Sequence, residues 1–270
     1  MQFYEDIPRL YTALAEWGAC ILYLYMIRGR LKSGLFWVSS VAFLIVQSMF
    51  LIFTGDLPTM FWIPCMFMAA GMMYLFLVLW GKINWISVVY CCAQAFLLAE
   101  FTASLEWQIH TFLQKEISIN FWQSALLLLL IYGGCFAVMY KITSPLLTGD
   151  YLSQISAKEA FSAAGIVVVV FAFSNLSFIY KNSPFSATLR SDMFNIRTLV
   201  DMGGIAILHA YQSRIFEYMA EKELSAMNLV LKTQYDQYRN YQDSLDLIQM
   251  KYHDLKHQIA GLRAETDSVK

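Results

Sequence analysis

The stretch LSAMNLVLKTQYDQYRNYQDSLDLIQMKYHDLKHQIAGL, residues 224–262, decides the reading of this chain, because its apolar residues recur on a seven-residue grid. With Leu224 at position a, the a and d positions are Leu224, Met227, Leu231, Gln234, Tyr238, Tyr241, Leu245, Ile248, Tyr252, Leu255, Ile259 and Leu262, and Gln234 alone breaks the pattern. No proline interrupts the run from Arg214 to Thr266. Spacing that alternates three and four over this many heptads is the pattern of a coiled coil, so a paired helical rod is expected and a homodimer is its simplest product. In this register His253 falls at b and His257 at f, which turns both imidazoles toward solvent.

Upstream of the rod the composition changes. The 270 residues are 58% hydrophobic and 14% charged with a mean hydropathy of +0.49, whereas a soluble domain carries nearer a quarter of charged residues. Residues 214–270 hold eight of the 19 Lys/Arg and nine of the 20 Asp/Glu, leaving eleven of each sign in the 213 residues before them. The expected organisation is therefore a transmembrane block at 1–213 followed by one solvated arm, with a coiled-coil helix at 214–250 and a further helix start at 251–270. A net charge of −1 gives no reason to expect a nucleic-acid partner.

Apolar runs long enough to cross about 30 Å of hydrocarbon fall near 8–28, 35–53, 59–80, 84–105, 121–141, 160–180 and 195–213. The fold class expected is all-α, a polytopic membrane bundle of about seven helices followed by a long cytoplasmic coiled-coil helix. Acidic Glu5 and Asp6 stand where a secretory signal would be basic, so the first apolar segment is expected to stay in the mature protein. Arg28, Arg30, Lys32, Lys82, Lys141 and Lys158 lie in alternate links, which are expected to be cytoplasmic. The other links carry Asp56, Lys115 with Glu116, and Lys181 with Arg190. An odd span count then puts the N-terminus outside and the C-terminus in the cytosol of a multi-pass cell-membrane protein. Turns are expected at Gly55-Asp56-Leu57-Pro58, at Asn182-Ser183-Pro184 and through the longest inner link, Ser144-Pro145 to Gly149-Asp150, while Pro64 is expected to kink the third span.

Cys20, Cys65, Cys91, Cys92 and Cys135 all sit inside apolar runs, as small buried hydrophobes do. Five charges inside the spans carry more information: Glu16, Glu100, Glu106, Arg197 and Asp201, all in the outer halves under this topology. Charges in hydrocarbon are costly, so such residues face a partner, a cavity or a ligand. One reading is an outward-facing pocket that binds a peptide, a small ligand or an apolar molecule arriving through membrane lipid. The other is structural pairing, for example Arg197 with Asp201 one turn away. His209 reads as packed or snorkelling, and the pairs Phe36-Trp37, Phe61-Trp62 and Phe121-Trp122 as interfacial belts.

On the rod, Tyr252-His253-Asp254-Leu255-Lys256-His257-Gln258 resembles the H-box of sensor histidine kinases with a GHKL-type (Bergerat) catalytic domain, in the branch of peptide-pheromone receptors with polytopic sensors. That resemblance implies that His253 accepts phosphate, that Asp254 takes the imidazole proton, and that His257 fills the Asn-or-His place of the box. It also implies a homodimer, a response-regulator partner, and a catalytic domain supplied in cis or in trans. ATP and magnesium are expected on that domain, with no cofactor in this chain, because no phosphate-cradling loop follows the box. No metal site is expected: two imidazoles on one helix leave a zinc ion short of ligands. Two other readings fit the residues, a membrane transport protein with an oligomerising tail and a membrane scaffold with a coiled-coil arm.

Overall fold

A computed structural model describes residues 6–29, 33–55, 57–117, 120–179 and 190–268, with side chains except at 59, 60, 190, 191 and 260–268. Glu5, Arg30, Lys32, Asp56, Lys181, the Asn182-Ser183-Pro184 turn and the side chains of Arg190 and Leu262 therefore lie outside the described residues. Among the described residues the chain is helical and without strands: α1 (Arg9–Arg28), α2 (Gly34–Thr54), α3 (Thr59–Gly81), α4 (Trp85–Ile117), α5 (Phe121–Thr143), α6 (Gly149–Gln154), α7 (Ala157–Ser174), α8 (Leu176–Ile179) and α9 (Arg190–Ser268). Six of them, α1 to α5 and α7, are long and apolar enough to cross a membrane.

The seventh expected span, 195–213, is not a helix of its own. It forms the early part of α9, and Asn195, Arg197, Asp201, His209 and Gln212 dilute its apolarity below that of the other six. Its polar residues are nonetheless accommodated, since Arg197, Thr198, Asp201 and Gln212 are all buried.

Helix ends follow local chemistry. Gly29 closes α1 in the left-handed region with φ 66° and donates its N–H to Tyr25 O at 2.8 Å, a conformation that glycine adopts without penalty. Asn120 with Gln123 and Ser156 with Glu159 form capping boxes at the starts of α5 and α7, each satisfying N–H groups that the helix leaves open. Helix α3 continues through Pro64. In the link expected to be a plain loop, Thr148 caps the short α6 and sends Tyr151 and Leu152 inward. There the Tyr151 and Tyr90 hydroxyls share a 2.9 Å hydrogen bond, and burial pushes Tyr151 up to about 12.

The chain divides into two compact units, Met1–Phe216 and Glu217–Lys270. In the first, α4 is the central element: it is buried along most of its length, and α1, α3, α5 and α7 pack around it. Its buried polar residues, Gln94, Glu100, Ser104 and Glu106 among them, therefore face neighbouring helices and not lipid. Close approach is built in at two glycines. A Cβ on Gly18 would lie 2.5 Å from the Phe136 ring, and one on Gly204 would lie 2.6 Å from Val170. The outward surface is apolar, with Val38, Ile45, Met49, Leu79, Leu129 and Phe173 all exposed, as a lipid-facing surface requires. In the second unit every described a and d side chain from Leu224 to Ile259 is exposed, so a single chain leaves the heptad stripe uncovered.

Candidate functional site

Inside the first unit, α4 and the early part of α9 meet through polar side chains at four levels. Gln108 Nε2 donates to Asn195 Oδ1, Ser104 and Thr198 hydroxyls lie 3.1 Å apart, Arg197 Nη2 lies 2.6 Å from Glu100 Oε2, and Gln94 Nε2 donates to Gln212 Oε1 at 3.3 Å. Gln94 meets Gln212 at one end of the seam and Gln108 meets Asn195 at the other, so the two helices run antiparallel. Interhelical polar contacts of this kind hold membrane helices together where lipid removes the hydrophobic drive for association.

Three of the five charges singled out from the sequence come together here. Glu100 and Arg197 form a buried ion pair, and Asp201, fully buried, lies within electrostatic range of both and beside Ser104 and Ser174. Arg197 thus pairs across the seam with Glu100 and also feels its neighbour on α9. Phe178 covers the guanidinium, whose centre is 5.7 Å from the ring.

Of the other two carboxylates, Glu16 lies within electrostatic range of Glu100 but makes its contact to another helix, and Glu106 lies apart. Glu16 accepts a 2.5 Å hydrogen bond from Gln47 Nε2, a contact between α1 and α2. Glu106 is fully buried near Tyr11 and Tyr132, and neither of its oxygens has a hydrogen-bond partner. One turn on, His110 stacks on Trp107 at 5.1 Å and its Nε2 lies 3.1 Å from Ser124 Oγ. Of the five charges expected to line one pocket, Glu100, Arg197 and Asp201 come together, and among them Arg197 lines a described cavity.

Arg197 also reaches a cavity of about 170 Å³ at one end of the bundle, lined by Asp6, Arg9, Trp62, Asn175 and Phe178 among others. Arg9 lies 3.6 Å from Asp6 and sits 6.0 Å from the Trp62 ring centre. The start of α1, the α2–α3 link, the start of α3, α8 and the start of α9 hence share one end, as the alternating layout requires. A second cavity, about 250 Å³ and almost wholly apolar, lies between α3, α4 and α7.

Sequence reading passed over Arg9, Gln47, Gln94, Ser104, Thr198 and Gln212. The signal was present as spacing: Glu100, Ser104 and Gln108 recur every four residues on α4, and Asn195, Thr198 and Asp201 every three on α9, each a single helical stripe.

In the tail unit His253, Asp254 and His257 are exposed, as are the described a and d side chains of the same helix. The two imidazoles touch: Nε2 to Nε2 is 3.1 Å and the rings meet edge to face at 4.4 Å. One ring donates and the other accepts, so neither Nε2 is a free nucleophile while the contact holds. No cluster of three or more metal-ligating side chains occurs among the described residues. Searches against protein-family models, curated proteins and solved structures found no match to this chain.

Proposed function

We propose that this chain is the membrane sensor and partial dimerisation region of a two-component histidine kinase, which presents His253 for phosphorylation. The observation that carries the reading is α9: one helix, Arg190–Ser268, bears both the buried Arg197 and the exposed His253 with Asp254 beside it. A ligand that disturbs the Glu100–Arg197 contact has a covalent helical path to the phosphoacceptor.

The uncovered heptad stripe supports a homodimer, because two copies would bury against each other the side chains that one copy leaves in solvent. In the transfer step an imidazole nitrogen of His253 attacks the γ-phosphorus, the bond to the ADP oxygen breaks, and Asp254 takes the ring proton. A catalytic domain with bound ATP and magnesium supplies the phosphoryl group, and an aspartate of a response regulator receives it. Attack through Nε2 requires the His257 contact to open first. The membrane orientation in this reading has the N-terminus outside and the tail in the cytosol.

The experiment is phosphohistidine mapping of the chain recovered from the cells that make it. Phosphate is expected on His253 and is expected to vanish in His253→Gln while membrane assembly persists. Unmodified His253 under every stimulus, with signalling intact in His253→Gln, would overturn the proposal.

A further inference from the structure

Charge does not balance inside the first unit. Among its described residues Glu16, Glu100, Glu106 and Asp201 are at most 1% exposed, and Arg197 is the one buried Lys or Arg. Arg197 Nη2 lies on Glu100 Oε2, and Asp201 feels the same guanidinium through space without forming an ion pair with it. Neither Asp201 oxygen has a hydrogen-bond partner among the described residues, and Glu100 Oε1 has none either. A carboxylate left in that state in a low-dielectric interior is costly unless positive charge meets it.

What surrounds Asp201 is hydroxyl oxygen. Ser104 on α4 and Ser174 at the end of α7 lie beside it, and Thr198, one turn back on α9, shares a 3.1 Å hydrogen bond with Ser104. Ser174 directs its own proton to Phe171 O at 3.2 Å and accepts from Asn175 Nδ2 at 3.1 Å. Its oxygen therefore turns a lone pair, not a hydrogen, toward the carboxylate. Oxygens that face one another without a proton between them repel, and a hard cation among them converts the repulsion into coordination.

The charge count selects the ion. Glu100 and Asp201 against Arg197 leave one negative charge, which a monovalent cation cancels and a divalent one overshoots. Glu16 on α1, in range of Glu100, already has Gln47 as a donor, and α7 contributes the neutral Ser174. Carboxylate and hydroxyl oxygens, without nitrogen or thiolate, suit a hard ion. Arg197, one turn from Asp201, and Asn175, next to Ser174, both line the 170 Å³ cavity at the end of the bundle, which brings an entry path close.

We propose that Asp201, with Ser104, Thr198, Ser174 and the unpartnered oxygen of Glu100, forms a sodium-binding site between α4, α7 and α9. The bound ion ties α7 to the α4–α9 seam. This goes beyond the phosphotransfer reading and does not depend on it, because ion binding is read from the membrane unit with His253 untouched.

The full chain in phosphatidylcholine nanodiscs is heated in sodium chloride or in choline chloride, at equal ionic strength and mildly alkaline pH. Sodium is expected to raise the unfolding midpoint along a saturating curve, as any ligand of the folded state does. Asp201→Asn should abolish the response, and Ser174→Ala, which keeps the carboxylate, should raise the half-saturating sodium concentration about tenfold, the worth of one lost contact. Glu106→Gln, a buried carboxyl outside the site, should respond as the unaltered chain does. Acidification should move half-saturation to higher sodium, by roughly tenfold per pH unit once a proton replaces the ion. A midpoint that follows pH but not sodium would mean that a proton alone neutralises Asp201 and would overturn the site. So would an equal response to choline, or a sodium response kept in Asp201→Asn.

Discussion

Replacing Arg197 by Gln tests whether the α4–α9 seam is held by charge. In the folded chain Arg197 Nη2 lies 2.6 Å from Glu100 Oε2, with side-chain exposures of 9% and 2%. At an effective dielectric near 20, that separation corresponds to an attraction of about 6 kcal/mol before the cost of removing both ions from water is subtracted. The substitution deletes the attraction and leaves Glu100 and Asp201 facing each other without their cation, so the expected loss is about 3–5 kcal/mol. Equilibrium unfolding of the purified chain in mixed micelles, followed by tryptophan fluorescence, measures it. Glu100→Gln combined with Arg197→Gln removes both charges at once, and the pair is expected to be about 2 kcal/mol more stable than the sum of the single losses requires. Asp201→Asn in the Arg197→Gln background should restore part of the loss, because one buried carboxylate then remains in place of two. An Arg197→Gln loss below about 1 kcal/mol, or strict additivity in the cycle, would refute the reasoning.

Adjacent glycines should behave oppositely. Gly204→Ala drives a methyl group to 2.6 Å from Val170 and is expected to cost about 1–3 kcal/mol in the same unfolding assay. Gly203→Ala meets nothing within 4 Å and should be neutral or stabilising by up to about 1 kcal/mol, from helix propensity alone. On the tail, Leu231→Asp at position a should weaken self-association of the full chain by at least about tenfold in sedimentation equilibrium, from the lost burial of one leucine. Leu229→Asp at position f, equally exposed in one copy, should leave it unchanged. Tyr90→Phe removes the partner of the buried Tyr151 hydroxyl and is expected to cost about 1–3 kcal/mol, read as a shift of the unfolding midpoint.

Much of the fold was legible because its signals are local. A run of about 20 apolar residues spans hydrocarbon wherever it occurs; six such runs emerged as helices, and four of them, α1, α2, α3 and α5, lie within two residues of the expected limits. The run at 195–213 read as a separate span, and it proved to be the striped beginning of α9 because polar residues on one face can be buried against α4. Helix α4 extends to Ile117, past the expected end near 105, since Glu106 and Trp107 are covered by neighbouring groups that hydropathy does not count. Short α6 escaped notice because its stability comes from Thr148 and from Tyr151 and Leu152 packing inward, not from a long apolar period.

By itself the sequence determined which long segments are helices and the seven-residue grid of the tail, because hydropathy and periodicity are properties of one segment before any tertiary contact forms. Only the tertiary structure decided which intramembrane charges meet: Glu100 with Arg197 and Asp201, Glu16 with Gln47, and Glu106 with no hydrogen-bonding partner. It alone also set α3 and α7 apart over the face of α4, leaving an apolar cavity between them. Hydropathy is a property of one segment, whereas pairing and cavities depend on how far apart helices stand and on their rotation about their own axes, which contacts among all of them fix together.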